Sequence, residues 1–265
     1  MIGAFSLIGE GARLEAGSVL GVGCVLGKDA RLGPDCRLGN YVTLAEGVCL
    51  GAGTQIGDHT VIDAGTVLGE ACFVGSHASL GKRPRPAATS TVKVQADLPP
   101  LRLGAGATIG CFAVLYAGTS YGEHVFVGDG ARIRERCQIG DHVLIGGGVA
   151  VENDTVIGEY TKIQTGSYIT AYMDIADRVF IAPMVTTTND NFMGRTEKRF
   201  KLIRGATIEK GARIGGGSIL LPGIRIAPET FVAAGALVSK DTRPRRVVKG
   251  FPARETREVP EDECL

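Results

Sequence analysis

The feature that most restricts what this chain can fold into is a six-residue recurrence of aliphatic side chains. Starting at Ile2, such a residue falls on every sixth position as far as Leu80, again from Leu103 to Thr187, and again from Ile208 to Val238. These series hold fourteen, fifteen and six hexads, with Tyr121 and Thr187 as the non-aliphatic members. A helix repeats near 3.6 residues and a half-buried strand at 2, so neither gives an apolar residue at strict intervals of six. A chain wound around a triangular prism does, because each side supplies one inward residue and three sides close an eighteen-residue coil. The pattern predicts an all-β solenoid of about twelve coils, roughly 55 Å long at ordinary strand spacing. Thirty-nine glycines and no tryptophan fit this picture. Glycine mostly follows the aliphatic residue, where a left-handed or crowded bend tolerates no Cβ.

Two interruptions subdivide the solenoid read over residues 1–240. N-terminal coils occupy 1–81, a loop 82–102, central coils 103–191, a second loop 192–207 and C-terminal coils 208–240; residues 241–265 read as a tail. The formal charge is +1 and no long single-sign run occurs, which gives no reason to expect nucleic acid or a membrane as partner. The opening "MIGAFSLIGEGARL" lacks a basic leader and a long apolar stretch, so a cytoplasmic location is expected. Seven cysteines form no CxxC pair, and no metal site is expected. Cys24, Cys36, Cys72 and Cys137 occupy the small-residue slot of the repeat and read as reduced core thiols.

Positions eighteen apart fall in one column, so the corners can be compared. At two corners the residue after the aliphatic one is mostly Gly or Ala. At the third it is Tyr116, Arg134, Glu152, Thr170 and Thr188; the next columns read Ala117, Glu135, Asn153, Ala171, Asn189 and Gly118, Arg136, Asp154, Tyr172, Asp190. Glu135 and Asn153 are expected one coil apart, about 4.8 Å. The bland alternative is a solvated edge or a stacking ladder of amides. Residue accounting makes both loops leave from this corner, and loops on a rigid scaffold are where binding residues concentrate. The second loop, which follows Asn191, carries Arg195, Lys198, Arg199, Lys201 and Arg204, a basic set suited to a diphosphate; "KRPRP" at 82–86 is a weaker second candidate. All four histidines, His59, His77, His124 and His142, take the fourth place of their hexad, which reads as repeat filler.

The hexads "VIGEYT", "QIGDHV" and "TVLGEA" resemble those of the hexapeptide-repeat acyltransferases over nearly the whole chain. That resemblance implies a left-handed parallel β-helix, a homotrimer and active sites between neighbouring subunits. The segment from "GGGSILLPG" to "FPARETR" is similar to the acyl-CoA end of these enzymes. It implies coenzyme A near Ala234, Gly235 and the Gly250–Pro252 stretch, with Arg245, Arg246 and Lys249 at its phosphates. The stretches "ARIRERCQIG", "GVAVENDTVIG", "KIQTGSYITAYMDI" and "IAPMVTTTNDNFMGRT" sharpen the likeness to nucleotide-sugar N-acetyltransferases, especially those acting on dTDP-3-amino-3,6-dideoxyhexoses. By that likeness Glu135 and Asn153 touch the amino sugar and acetyl-CoA is co-substrate. Tyr116, Arg134, Tyr172, Asn189, Asp190, Asn191 and Arg195 are then substrate-binding candidates, and the coenzyme A sulfur accepts the amine proton. Two other readings stay open: an O-acetyltransferase with His142 as base, and a non-catalytic assembly subunit.

Overall fold

A hexad leaves room for a strand of two residues and a four-residue corner. The strands accordingly run Leu7–Ile8, Arg13–Leu14, Val19–Leu20 and onward in pairs. Side chains alternate along each pair, so Val25 faces out at 36% exposure while Leu26 faces in at 1%. The computed structural model describes residues 1–90 and 97–265. They form two units, Met1–Arg136 and Cys137–Leu265.

In the first unit Leu7 pairs with Val25, Arg13 with Arg31 and Val19 with Arg37, all in parallel and all eighteen apart. Three faces result, beginning at Leu7–Ile8, Arg13–Leu14 and Val19–Leu20. The second unit repeats the arrangement, with Gln138 against Val156, Leu144 against Lys162 and Ala150 against Tyr168. Each unit is thus a parallel β-solenoid, in agreement with the all-β solenoid expected from the repeat and with the left-handed β-helix that the resemblance implies. Among the described residues the one α-helix is the short Arg199–Leu202.

The inward aliphatic residues stack in continuous rows, Ile62, Leu80, Leu115 and Ile133 all being fully buried in the first unit. Each such side chain contributes about 1.5–3 kcal/mol through removal of apolar surface from water. The small slot before each strand has a second use. Its hydroxyl or thiol donates to the carbonyl fifteen residues on: Thr54 Oγ1 to Gly69 at 3.0 Å, Cys36 Sγ to Gly51 at 3.2 Å, Ser167 Oγ to Ala182 at 3.0 Å. The four slot cysteines are buried and free. Burial pushes the thiols of Cys24, Cys36 and Cys72 up from their ordinary range, so they stay protonated.

The structure separates the two explanations for glycine after the aliphatic residue. A Cβ on Gly9 would lie 2.7 Å from Gly27 C, so this slot is crowded by the next coil. The left-handed residue comes two positions later and is often not glycine at all: His59, Asp29 and Tyr41 have φ of 58°, 56° and 55°.

In the first unit the excursion begins where the Leu7–Ile8 face gives way to the Arg13–Leu14 face, and in the second where the Ala150–Val151 face gives way to the Gln138–Ile139 face. In the first unit the chain leaves after Ser79–Lys82 and returns at Arg102–Leu103, which pairs with Val67–Leu68. In the second it leaves after Thr186–Thr187 and returns at Thr207–Ile208, paired with Asp174–Ile175. Residues 241–265 are more ordered than a tail. Arg246–Gly250 adds a parallel strand beside Phe231–Val232, then folds back antiparallel on Ala253–Glu258, with Val247 and Val248 buried. Val248 lies sixteen residues after its partner Val232 instead of eighteen, so the repeat count does not reveal it.

Candidate active site

In the first unit the polar corner forms one connected array. Tyr116 ends the strand Val114–Tyr116. Lys82 Nζ stands 5.5 Å from its ring centroid and the Arg134 guanidinium 5.3 Å, both within cation–π range. Arg134 then closes on its neighbour Glu135, Nε to Oε2 at 2.7 Å and Nη2 to Oε1 at 2.9 Å. Glu135 is 1% exposed. The sequence allows a surface carboxylate paired with Arg134 or Arg136; the pairing with Arg134 is present, and the carboxylate is buried. A buried, paired carboxylate is an acceptor of fixed direction, able to orient a donor such as an amine.

In the second unit Asn153 is 7% exposed and its amide donates to the Asp154 carboxylate. Its carbonyl accepts from Tyr172 N at 3.2 Å, and Tyr172 stands outward at 45% exposure with φ of 63°. Asn189 Nδ2 donates to Ala171 O at 3.3 Å, so it turns toward the small residue of its own column. Thr187 fills the aliphatic slot fully buried; its Oγ1 accepts from Thr170 N at 2.8 Å and donates to Tyr168 O at 3.0 Å.

Asp190, a substrate-binding candidate, is engaged by its own loop. Its carboxylate accepts from Phe192 N at 2.8 Å, Gly194 N at 3.0 Å and Arg199 Nε at 2.9 Å. Those bonds, the Gly194 one foremost, hold its pKa below the usual aspartate range. Asp190 therefore organises the excursion, and Arg199 is bound up in the same contact. Asn191 and Arg195 remain exposed on it.

The coenzyme candidates meet at another corner of the second unit. Ala233 N donates to Val248 O at 2.9 Å, which sets Ala234 and Gly235 beside the Lys249–Gly250 step. Gly235 has φ of 69°, and a Cβ there would meet nothing within 4 Å. Gly217, eighteen residues earlier, and Gly148 are equally open. At Gly217 and Gly235 the result is a furrow of bare backbone suited to a long flexible ligand; Met184, whose Sδ a Cβ on Gly166 would meet at 2.5 Å, separates it from Gly148. Gly148 and Gly217 are not among the residues singled out from sequence. The signal exists in the fourth-place column, which carries Tyr41, His59, His77 and Phe112, flanked by Gly23 and Gly130, in the first unit, and Gly148, Gly166, Met184, Gly217 and Gly235 in the second. Arg246 does not face this furrow as a phosphate ligand: it pairs with Glu258 at 2.9 Å and Glu255 at 3.5 Å within the terminal hairpin. Arg245 lies 4.0 Å from Glu261. Lys249 and Pro252 are exposed, Pro252 following a cis peptide bond.

The histidines are ladder members. His59 and His77 stack at 5.0 Å between Tyr41 and Phe112, and His142 stacks on Tyr160 at 4.7 Å, with Arg178 over that ring at 4.7 Å. In the second unit a cavity of about 530 Å³ is lined by Arg178, Lys210, Pro228, Glu229 and Leu265, and contains none of the candidates; the furrow and polar corner are open features instead. Among the described residues no three His, Cys, Asp or Glu are grouped to hold a metal, and no helix is long and apolar enough to cross a membrane.

Fold and site together define a hexapeptide-repeat β-solenoid with a polar corner and a glycine furrow. Residues 119–153 and 136–171 match the family model described as bacterial transferase hexapeptide (six repeats). No curated protein matches the chain. Among solved structures, it is similar to a maltose O-acetyltransferase from Clostridium difficile 630, with 24% identity, 46% of this chain and 70% of that one covered, and a TM-score of 0.40. It is also similar to a hexapeptide-repeat acetyltransferase from Vibrio cholerae O1 biovar eltor complexed with acetyl coenzyme A, at 24% identity, 46% and 71% coverage and a TM-score of 0.39. A UDP-N-acetylglucosamine acyltransferase from Campylobacter jejuni aligns over 95% of this chain and 80% of its own, at 17% identity and a TM-score of 0.43. At these scores the likenesses bear no argument about activity, which rests on the site.

Proposed function

We propose that the protein is an acyltransferase that moves the acetyl group of acetyl-CoA to the amine of a nucleotide-linked amino sugar, a dTDP-3-amino-3,6-dideoxyhexose being the favoured acceptor. The match to the hexapeptide transferase model supports the class. The observation that carries the acceptor reading is a carboxylate, Glu135, buried to 1% exposure at a repeat corner. Glycine or alanine would serve the coil there equally well, and burying a charge needs compensation that a filler residue would not require.

In this reading the neutral amine attacks the thioester carbonyl. The C–N bond forms, the C–S bond breaks, and the amine proton passes to the departing coenzyme A sulfur, giving an amide and the free thiol. Glu135 orients the amine, and Asn153 is the second candidate for that contact by its place in the repeat. Positioning of the two substrates supplies most of the acceleration. The furrow at Gly217 and Gly235, with Ala234, Lys249 and Gly250 beside it, takes the coenzyme. The active species is a homotrimer, as the resemblance implies, and its proposed location is the cytoplasm. Calorimetry with coenzyme A and a panel of dTDP- and UDP-linked amino sugars tests the reading; absence of binding by every one of them overturns it. Light scattering checks the trimer.

A further inference from the structure

We infer that Lys82, delivered by a β-bulge onto the face of Tyr116, is the cation that holds the diphosphate of the acceptor. This rests on the nucleotide-sugar reading above and adds to it the location of the anionic end.

The bulge is the first observation. Ser79 pairs with Val114 and Leu80 with Leu115, but Tyr116 pairs with Lys82, so Gly81 is an extra residue without a partner. Gly81 has φ of +80°, and a Cβ there would fall 2.3 Å from Thr66 Oγ1. Only glycine fits the position. Bulges re-aim the side chain that follows them, and here the consequence is that Lys82 reaches the polar corner where the plain repeat would leave glycine. The Lys82 carbonyl is fixed as well, accepting from Ala117 N at 3.0 Å. The chain comes back across the same corner, with Gly118 N donating to Pro99 O at 2.7 Å and Leu98 buried. Lys82 therefore projects from a root tied down on both sides.

Charge is the second observation. Lys82 and Arg134 stand 5.5 and 5.3 Å from the Tyr116 ring, and Arg134 is compensated by Glu135. Asp63 faces Lys82 and Arg83 together; burial pushes its carboxyl up against their opposing pull. Lys82 and Arg83 thus share the Asp63 carboxylate, while Arg134 is engaged by Glu135. Lys82 is exposed, and among the described residues no ion pair within 4.0 Å involves it. An exposed ammonium with that freedom suits an organic diphosphate.

Coenzyme A also contains a diphosphate, so the test separates the two sources. Wild type, Lys82→Gln and Lys82→Arg are titrated calorimetrically with dTDP, UDP and coenzyme A. In Lys82→Gln the affinity for the nucleoside diphosphate falls about tenfold or more, the range for losing a hydrogen bond to a charged group. Coenzyme A affinity stays within about twofold, and Lys82→Arg keeps nucleoside diphosphate binding within about threefold. Equal nucleoside diphosphate affinity in wild type and Lys82→Gln overturns the inference while leaving the proposed function standing. So does a loss confined to coenzyme A, or an equal loss in both variants. A wild type that binds coenzyme A but neither nucleoside diphosphate nor any amino-sugar derivative overturns the functional reading itself.

Discussion

Arg134 and Glu135 are adjacent in sequence, yet their side chains close on one another through two hydrogen bonds of 2.7 and 2.9 Å, and the carboxylate so held is almost completely buried. Arg134 in turn lies over Tyr116. The pair joins packing to chemistry, since the guanidinium both stabilises the buried charge and fixes its direction.

Removing either partner therefore has two readouts. Glu135→Ala leaves the partly exposed Arg134 without this contact and is expected to lower stability by about 1–3 kcal/mol, whereas Arg134→Ala removes the compensation of a buried carboxylate and is expected to cost about 3–5 kcal/mol. The double variant recovers part of that loss, giving a coupling energy of about 0.5–3 kcal/mol in a double-mutant cycle by urea denaturation. Glu135→Gln keeps the shape and is expected to cut kcat about a hundredfold, in the range of a lost positioning or acid–base group. Unchanged turnover in Glu135→Gln would remove Glu135 from the site.

His142 lies against Tyr160, which carries Arg178 on its ring. An amine acceptor whose proton leaves with the coenzyme A sulfur has no need of this imidazole, so His142→Ala is expected to keep turnover within about threefold. A fall of a hundredfold or more supports the O-acetyl reading with a histidine base instead.

Thr187 tests whether the repeat consensus or the local hydrogen bonds rule at the last regular hexad. An aliphatic residue is the norm in its slot, but its hydroxyl accepts from Thr170 N and donates to Tyr168 O in a fully buried setting. Thr187→Val improves the match to the repeat and leaves the Thr170 N–H unpaired. We expect destabilisation of about 1–3 kcal/mol, measured by thermal or urea unfolding. A more stable variant would show that the consensus wins.

Asp190 gives a pH prediction for the second excursion. Its acidity is strengthened in the folded chain, chiefly by the Gly194 and Phe192 amides and then by Arg199. A carboxylate with a lowered folded value stabilises above the unfolded aspartate range and loses that contribution as pH falls through the folded value. Order in residues 191–204 is expected to persist at neutral pH and to decline in strong acid, as followed by hydrogen exchange corrected for its intrinsic pH dependence. Asp190→Asn is expected to show the looser pattern at pH 7 by hydrogen exchange; equal protection in the two proteins refutes the role.

Gly81→Ala addresses the bulge. The substitution places a Cβ against Thr66 Oγ1 at a left-handed φ, and we expect a loss of stability of about 1 kcal/mol or more. Nucleoside diphosphate binding is expected to weaken with it, because Lys82 loses its seat.

By itself the sequence determined the coil. A strict six-residue aliphatic period, with small residues before each strand and glycine after it, admits few arrangements other than a three-faced parallel solenoid, and the period alone marks where the excursions begin. It also ranked the corners, since an eighteen-residue column brings Tyr116, Arg134 and their successors onto one edge. The tertiary structure decided what those side chains do. Burial made Glu135 a fixed acceptor and not a surface charge, because Arg134 folds onto it instead of into solvent. Asp190 and Arg246 proved to be engaged by their own loop and hairpin, contacts that depend on chain paths outside the repeat. The glycine furrow at Gly217 and Gly235 became visible only when the left-handed position was seen two residues beyond the glycine that the repeat advertises. The displaced register at Gly81, which carries Lys82 to Tyr116, lies beyond any period count, because a bulge is set by the pairing of two strands and not by the spacing within one.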